Sequence, residues 1–340
     1  MSRRSSSITI RDVARKAGVS VATVSRYINR NATVSPEVSE RLHSVMMDLQ
    51  YVPHAAARNL ASRKTRLIGL LLNNLHNDFF IPLLNGVETV VRQKGYNLII
   101  ATYHADSRNV MPPPLGPHNT DGLLVFSDGL TDDDLVSLHS KGFPVVLIHR
   151  LPRSDVLIPT VTVENTEVTK NLIEHLIRVH SRRRILFMRG PSGQQDSLLR
   201  ELGYKSALQA NGIPYDENLF LNGEFERDIA YTVMNEFLCR EEHVAFDAVF
   251  TGDDDAAIGV LKSLHEHGLR VPEDVAVIGF DDLGFAQFLN PPLTTVRAPT
   301  ELVGKIATER LFGLLENPPS EEVTILPTKI IYRSSCGCES

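Results

Sequence analysis

No apolar run in this 340-residue chain approaches the length that crosses a bilayer, so an integral membrane protein is not expected. The opening MSRRSSSITI holds no apolar stretch ahead of the first helical pattern, so no secretory signal is expected either. Cysteine is scarce: Cys239, Cys336 and Cys338. An odd, small number gives no disulfide framework and suits a reducing, cytoplasmic setting. Cys336-Gly337-Cys338 has no His or Cys grouping beside it in the sequence and is read as an incidental tail. His175, His180, His265 and His267 are scattered on helical stretches and are read as surface or packing residues, so no metal site is expected. There is no GxGxxG or Walker loop. Arg189-Gly190-Pro191-Ser192-Gly193 is Gly-rich after a strand, but lacks the Lys-Ser/Thr a nucleotide loop needs. No nucleophile–base pair stands out, so neither an enzyme nor a cofactor is expected. No heptad repeat runs toward Ser340, which argues against a coiled-coil tetramer.

What is present is unevenly distributed. Residues 1–66 carry 12 Lys and Arg against 4 Asp and Glu, net +8, whereas the remainder is −14, within an overall −6. A basic head on an acidic body is the electrostatic footprint of a DNA-binding module joined to something else. Within that head, TIRDVARKAGVSVATVSRYINR (9–30) reads as two short helices and a tight turn. Ile10, Val13, Ala14 and Ala17 share one face at three- and four-residue spacing. Asp12 sits in the first turn, where a carboxylate meets the positive helix end. Gly18 ends the helix by taking the left-handed backbone, and Ser20 caps the next. That second helix holds Val24 and Ile28 inward and shows Val21, Ala22, Ser25, Arg26 and Asn29 outward. Two helices joined by such a turn make a helix-turn-helix whose second helix enters the major groove. Arg26 is placed for a bidentate contact to guanine.

A loop at 31–34 precedes a third helix, with Ser35 as cap, Pro36 at the first position and Val38, Leu42, Val45, Met46 and Leu49 as its apolar stripe. Next, 54–62 is Ala-rich yet too short to be a stable helix alone. Arg63, Lys64 and Arg66 can track phosphates. From Leu67 short apolar runs (67–72, 98–101, 122–126, 145–148, 185–188, 248–250, 275–280) alternate with amphipathic helices (82–94, 164–178, 197–211, 254–268). That alternation predicts parallel sheets in an α/β architecture. About 270 residues is too many for one such sheet, so two lobes are expected, with strand carboxyl ends facing a shared cleft. Asp253-Asp254-Asp255 is read as a helix cap with Asp253 also facing the cleft, and Arg182–Arg184 as a solvated face.

The chain resembles the lactose/galactose repressor (LacI/GalR) family over nearly its whole length. The resemblance rests on TIRDVARKAGVSVATVSRYIN, YVPHAAARNLA, LIGLLL followed by NDFF, DGLLVF, GFPVVLI, GDDDAAIG, RVPEDVAVIGFDD and PPLTTVR. It implies a small all-α head, a hinge helix that forms on DNA, and a two-lobed body like a periplasmic sugar-binding protein. The corresponding divisions are 1–52, 53–66 and 67–340, with an N-terminal lobe of about 67–164 plus 297–324 and a C-terminal lobe of about 165–296 plus 325–340. It further implies a homodimer on a near-palindromic operator, regulating transcription, usually by repression, in response to a carbohydrate or nucleoside-like effector. By residue, it makes Val21 and Ala22 the specificity-setting pair and Arg26 the base-reading arginine. Thr9, Ser20, Thr23, Ser25 and Asn29 fall on phosphate-binding positions, and Leu60 on the leucine levered into the minor groove. In the body it assigns Arg200, Asp253 and Asp281 to the ligand, with Asn73, Phe79 and His149 on the opposite side of the cleft.

Several departures mark this chain. His149 stands where the family usually has aspartate, Glu164-Asn165 replaces Asp-Asn, and the family's Gly-His turn reads His180-Ser181. Prolines at 112–114 and 117 replace a helix between two strands, so a loop at an edge of the N-terminal lobe is expected there. Two other functions fit the sequence less well. A solute-binding transport protein conflicts with the first 66 residues, and an α/β enzyme lacks a catalytic constellation.

Overall fold

Residues 8–29, 34–51, 64–103, 112–152, 158–242, 244–316 and 322–339 are described by the computed structural model. The chain divides into two units, Met1–Arg66 and Leu67–Ser340. The expected hinge helix, with Leu60 and Arg63, falls outside the described residues, as do 31–33 of the expected loop and 104–111 of the Pro-rich segment.

In the first unit, α1 (Ile10–Ala17), α2 (Val21–Asn29) and α3 (Pro36–Asp48) pack around Val13, Ala14, Ala17, Val24, Leu42 and Val45. Gly18 has φ 66°, and its left-handed backbone ends α1 so that the chain can turn into α2. The Ser20 hydroxyl accepts the Thr23 amide at 3.1 Å, capping α2. Ser35 precedes α3 without a side-chain cap; Pro36 alone starts that helix, its fixed φ already helical.

In the second unit the apolar runs become strands: 67–72, 122–126 and 145–148 keep their bounds, 98–101, 185–188 and 248–250 gain a residue or two, and 275–280 shortens to Ala276–Ile278. The first sheet uses β1 (Leu67–Leu72), β2 (Asn97–Thr102), β3 (Gly122–Phe126), β4 (Val145–Ile148) and β5 (Thr160–Val163). The second uses β6 (Ile185–Arg189), β7 (Phe220–Asn222), β8 (Ala248–Thr251) and β9 (Ala276–Ile278). Then β10 (Thr295–Arg297) pairs antiparallel with β12 (Lys329–Ile331), while β11 (Val323–Leu326) returns to the edge of the first sheet. The orders are β11-β5-β4-β3-β1-β2 and β7-β6-β8-β9, with every pair inside these two sheets parallel. Strands β3, β4 and β8 are buried at every position, as expected of parallel strands covered on both faces.

The chain therefore passes between the lobes three times. It leaves the first sheet after β5, returns through β10 to the helix Thr300–Glu316 that packs on Phe80–Gln93, and leaves again after β11 into β12. The Pro-rich segment lies differently from the expected edge loop. Its described part, 112–120, has no helix, and it seats Leu115 with Tyr103, Leu71 and Leu123 against the face of β1 and β3. Prolines bar a helix there, and one buried leucine fills part of the space a helix would cover. Arg182 is also not a solvated face: its guanidinium donates to the Pro272 and Asp274 carbonyls.

Candidate functional site

In the head, helical periodicity decides what is presented. Val24 is fully buried and Ile28 partly buried, which leaves Val21, Ala22 and Arg26 exposed on α2, with Val21 at 42%. Thr9, Ser20 and Thr23 lie at the N-terminal ends of α1 and α2. Thr9 donates its amide and hydroxyl to Asp12 at 3.0 and 2.7 Å, and these bonds lower the Asp12 pKa. Ser20 and Thr23 share a hydroxyl–hydroxyl bond of 2.9 Å. Ser25 is half-buried, and Asn29 is the last residue of α2.

In the body, a cleft lies at the carboxyl ends of the strands of both lobes. One wall carries Asn73 after β1, Phe79 and Phe80 at the start of the next helix, and Phe126 at the end of β3. The other carries Gln194, Asp196 and Arg200 around the helix Gln195–Ala210, Phe225, Asp253 after β8, and Asp281 after β9. Asn73, Phe79, Arg200, Asp253 and Asp281 thus all reach one space. Their loops are unusual in backbone: Ser127, His149, Glu224, Phe225, Asp281 and Asp282 all have positive φ, between 42° and 108°. Strain collected at strand ends is a mark of a binding site.

Arg200 is the centre of the charged wall. It is 2% exposed and stacks on the Phe280 ring at 3.6 Å. Its Nε donates to Asn165 at 2.9 Å, one Nη donates to the Gly252 carbonyl, and the other lies 3.5 Å from Asp281 and 4.0 Å from Asp196. Phe225 covers it from the solvent side, 5.4 Å from the guanidinium. That ring needs Gly190 and Gly252 beneath it, because a Cβ there would lie 2.2 and 2.6 Å from Phe225.

His149 stands one layer behind the wall rather than on it. It is 1% exposed, edge-on to Phe79, and its Nδ1 lies 2.7 Å from Asp196. Burial pushes Asp196 up, but His149, Arg200 and Asn165 together outweigh that and hold its carboxyl below the ordinary value. Burial raises Asp253 to about 8, with the neighbouring Asp281 adding to the shift, and burial raises Asp281 as well. Asp253 also caps the helix Asp254–Glu266, accepting the Ala256 amide at 3.0 Å.

Three buried acceptors lining the cleft have no hydrogen-bond partner: Asn73 Oδ1, Gln194 Oε1 and Asp281 Oδ1. The Arg200 nitrogen near Asp281 lies within ion-pair distance but outside hydrogen-bond geometry. Buried acceptors left open are costly, so their convergence describes what belongs there: a molecule that brings O–H or N–H donors. Gln194, Asp196, Phe225 and Asn77 were missed from sequence. Asn77 reaches across the cleft to the Phe225 carbonyl at 3.2 Å and to Asp253 at 3.4 Å. Only the Asp196–Arg200 spacing of four, which sets both on one helix face, offered a local signal.

His175 and His180, read from sequence as surface or packing residues, and Cys336 and Cys338, read as an incidental tail, come together in one cluster.

Among known sequence families, residues 9–54 match "Bacterial regulatory proteins, lacI family" and 173–336 match "Periplasmic binding protein-like domain". The chain is 35% identical to the HTH-type transcriptional repressor PurR of Vibrio atlanticus, over 96% of this chain and 98% of that one. Among solved structures, it is 31% identical to the transcriptional regulator CelR in complex with cellobiose, covering 96% and 99% of the two chains with a TM-score of 0.70. At 24% identity, the lac repressor dimer bound to operator shares the fold, with a TM-score of 0.81 over 97% and 99%.

Proposed function

This chain belongs to the lacI family of bacterial regulatory proteins, and from that premise we propose how it reads DNA and what controls it. It is a DNA-binding transcription regulator and not an enzyme. Two copies act together on a near-palindromic operator in the cytoplasm, each offering α2 to a major groove. Val21, Ala22 and Arg26 meet base edges, while Thr9, Ser20, Thr23, Ser25 and Asn29 meet phosphates. Leu60, in the hinge of about 53–66, wedges into the minor groove at the centre of the site.

The effector is a neutral, hydroxyl-rich ring, a sugar or a nucleoside, bound between the lobes by Asn73, Phe79, Arg200, Asp253 and Asp281, with His149 acting through Asp196. The observation that carries this reading is the set of three unpartnered acceptors converging on the cleft. Ligand hydroxyls satisfy them, Arg200 donates to a ring or hydroxyl oxygen, and Phe79 and Phe126 cover an apolar ring face. An anionic ligand fits poorly, because Arg200, the arginine lining the cleft, is already engaged by Asn165, the Gly252 carbonyl and Asp281. The cellobiose held by the related CelR is a neutral sugar and supports the choice.

The switch follows from where Asp281 sits. The adjacent Asp282 holds Arg297 of β10 at 2.6 Å and Arg333, just past β12, at 2.7 Å. A ligand pulling on Asp281 therefore bears on both crossing strands. It shifts DNA affinity only by as much as it prefers the closed body over the open one.

The test of DNA reading is footprinting and salt titration on selected operators. A two-fold footprint is expected, with log affinity falling against log salt at about −0.9 per phosphate neutralised. Arg26→Ala should cost about 1–3 kcal/mol and relax preference at one base pair per half-site. A uniform loss across all sequences would make Arg26 a phosphate contact.

A further inference from the structure

The C-terminal tail meets the second lobe through four side chains that no DNA or effector role uses. His175 lies in the last turn of the helix Thr166–Arg178, and His180 follows two residues past its end. Cys336 ends the short turn Ser334–Cys336, and Cys338 follows it. His175 Nε2 and His180 Nε2 are 3.1 Å apart, and Cys338 Sγ lies 3.3 and 3.4 Å from them. With Cys336 Sγ, all four potential ligand atoms fall within 4.8 Å of one another.

From this geometry we propose that His175, His180, Cys336 and Cys338 bind one zinc ion in a tetrahedral Cys2His2 site. Zinc bonds of about 2.0–2.1 Å to nitrogen and 2.3 Å to sulfur put tetrahedral ligands about 3.3 Å apart for two nitrogens and 3.6 Å for nitrogen and sulfur. The observed triangle is within a few tenths of an ångström of that. The His-x4-His spacing falls in the range of structural zinc sites, although Cys-x-Cys is tighter than the usual thiol pair. Gly337 makes that tight pair feasible: its φ is 106°, and a Cβ there would lie 3.0 Å from the His180 ring.

The surroundings are those of a supported site. Cys336 is fully buried, with its Sγ 3.1 Å from the Thr294 hydroxyl. Tyr332 packs against the His175 ring with centroids 4.3 Å apart. A soft thiolate and imidazole set suits zinc and excludes magnesium or calcium. Four protein ligands leave no open position, so the metal acts as a staple and not as a catalyst. It fastens the tail to the helix Thr166–Arg178 just after the crossing strand β12, where Ser335 also bonds Val277 and Thr294. On binding, the two thiols release their protons to solvent as two zinc–sulfur bonds form.

The test uses the full-length, untagged chain, purified under reductant without chelator. Elemental analysis after gel filtration should find about one zinc per chain, as four protein ligands require. After chelation, refilling with Co²⁺ should give tetrahedral ligand-field bands and thiolate charge transfer, both removed by added zinc. Cys338→Ser and His180→Asn should bring metal to background, while Cys239→Ser should not. Cys239 lies 3.6 Å from His267 Nε2 on the surface, and controls for casual binding there. The wild-type measurements stand even where a variant fails to fold. Reduced wild type that takes up neither zinc nor tetrahedral cobalt would overturn the site. So would stoichiometric metal retained by folded Cys338→Ser, or a Cys336–Cys338 disulfide that persists under reductant.

Discussion

The two walls of the cleft differ in kind. The wall from the first lobe is neutral, made of phenylalanine rings and amides: Asn73, Phe79, Phe80 and Phe126. The wall from the second lobe is charged, with Arg200 buried among Asp196, Asp253 and Asp281. Charged hydrogen bonds discriminate between ligands, whereas rings contribute contact area with little directional demand. On the reading proposed above, the second lobe would supply most of the discrimination between ligands and the first most of the contact area. The two walls touch where His149, edge-on to Phe79, pairs with Asp196, and where Asn77 donates to the Phe225 carbonyl and to Asp253.

Breaking the charged wall at its centre should have the largest effect. Arg200→Met leaves Asp281 and Asp196 without their buried cation, and the body should lose about 3–5 kcal/mol, read by urea unfolding. A loss below about 1 kcal/mol, the range of an exposed ion pair, would show that the aspartates do not depend on it. Asp281→Ala should follow, weakening ligand binding by about 1.5–3 kcal/mol and abolishing the ligand response. Operator affinity without ligand should stay within about threefold, roughly 0.6 kcal/mol. A variant that still responds at wild-type concentrations would make Asp281 structural. The neutral wall should be more forgiving: Phe79→Ala is expected to cost about 0.5–1.5 kcal/mol in ligand affinity while keeping ligand preference. A change of preference would put recognition on the first lobe and dissolve the contrast.

The charged wall should also show itself as a pH slope. The folded Asp253 carboxyl titrates near 8, far above its unfolded value, so between those values the folded state holds a proton that the unfolded state has lost. Stability is then highest at low pH and falls as pH rises toward 8. Asp281 acts in the same direction, and Asp196, whose pKa is lowered, opposes it only at acid pH. Thermal melts between pH 5.5 and 8 should show wild type losing stability as pH rises and Asp253→Asn losing less, so that the variant's slope is flatter. Parallel slopes would assign the proton elsewhere.

Long apolar runs were legible in sequence because parallel strands buried on both faces need continuous apolar residues. This is how β1, β3 and β4 were found. Strand β5, Thr160-Val161-Thr162-Val163, hides a fully buried strand behind two threonines. Strands β10 and β12 have three residues each and belong to the crossing between lobes, which no local pattern marks. The cleft divides likewise. Asp253 and Asp281 lie in stretches whose resemblance is specific, but Asn77, Gln194 and Phe225 gain meaning only when strand ends distant in sequence converge. The Cys and His cluster is not legible in the sequence for the same reason, since its two halves lie on opposite sides of most of the second lobe's sequence. His149 was placed on the wall because its position aligns with a ligand-binding one, yet here it turns to Asp196 and buries.

The central claim is that the open acceptors of the cleft call for a neutral donor-rich ligand. Thermal shift of the full-length protein with matched pairs, each a sugar or nucleoside and its phosphate ester, tests it most directly. A neutral member present at about 100 times its dissociation constant should add about 2.7 kcal/mol of stability, and its phosphate ester much less. A phosphate ester that stabilises the protein more than its neutral parent would contradict the account.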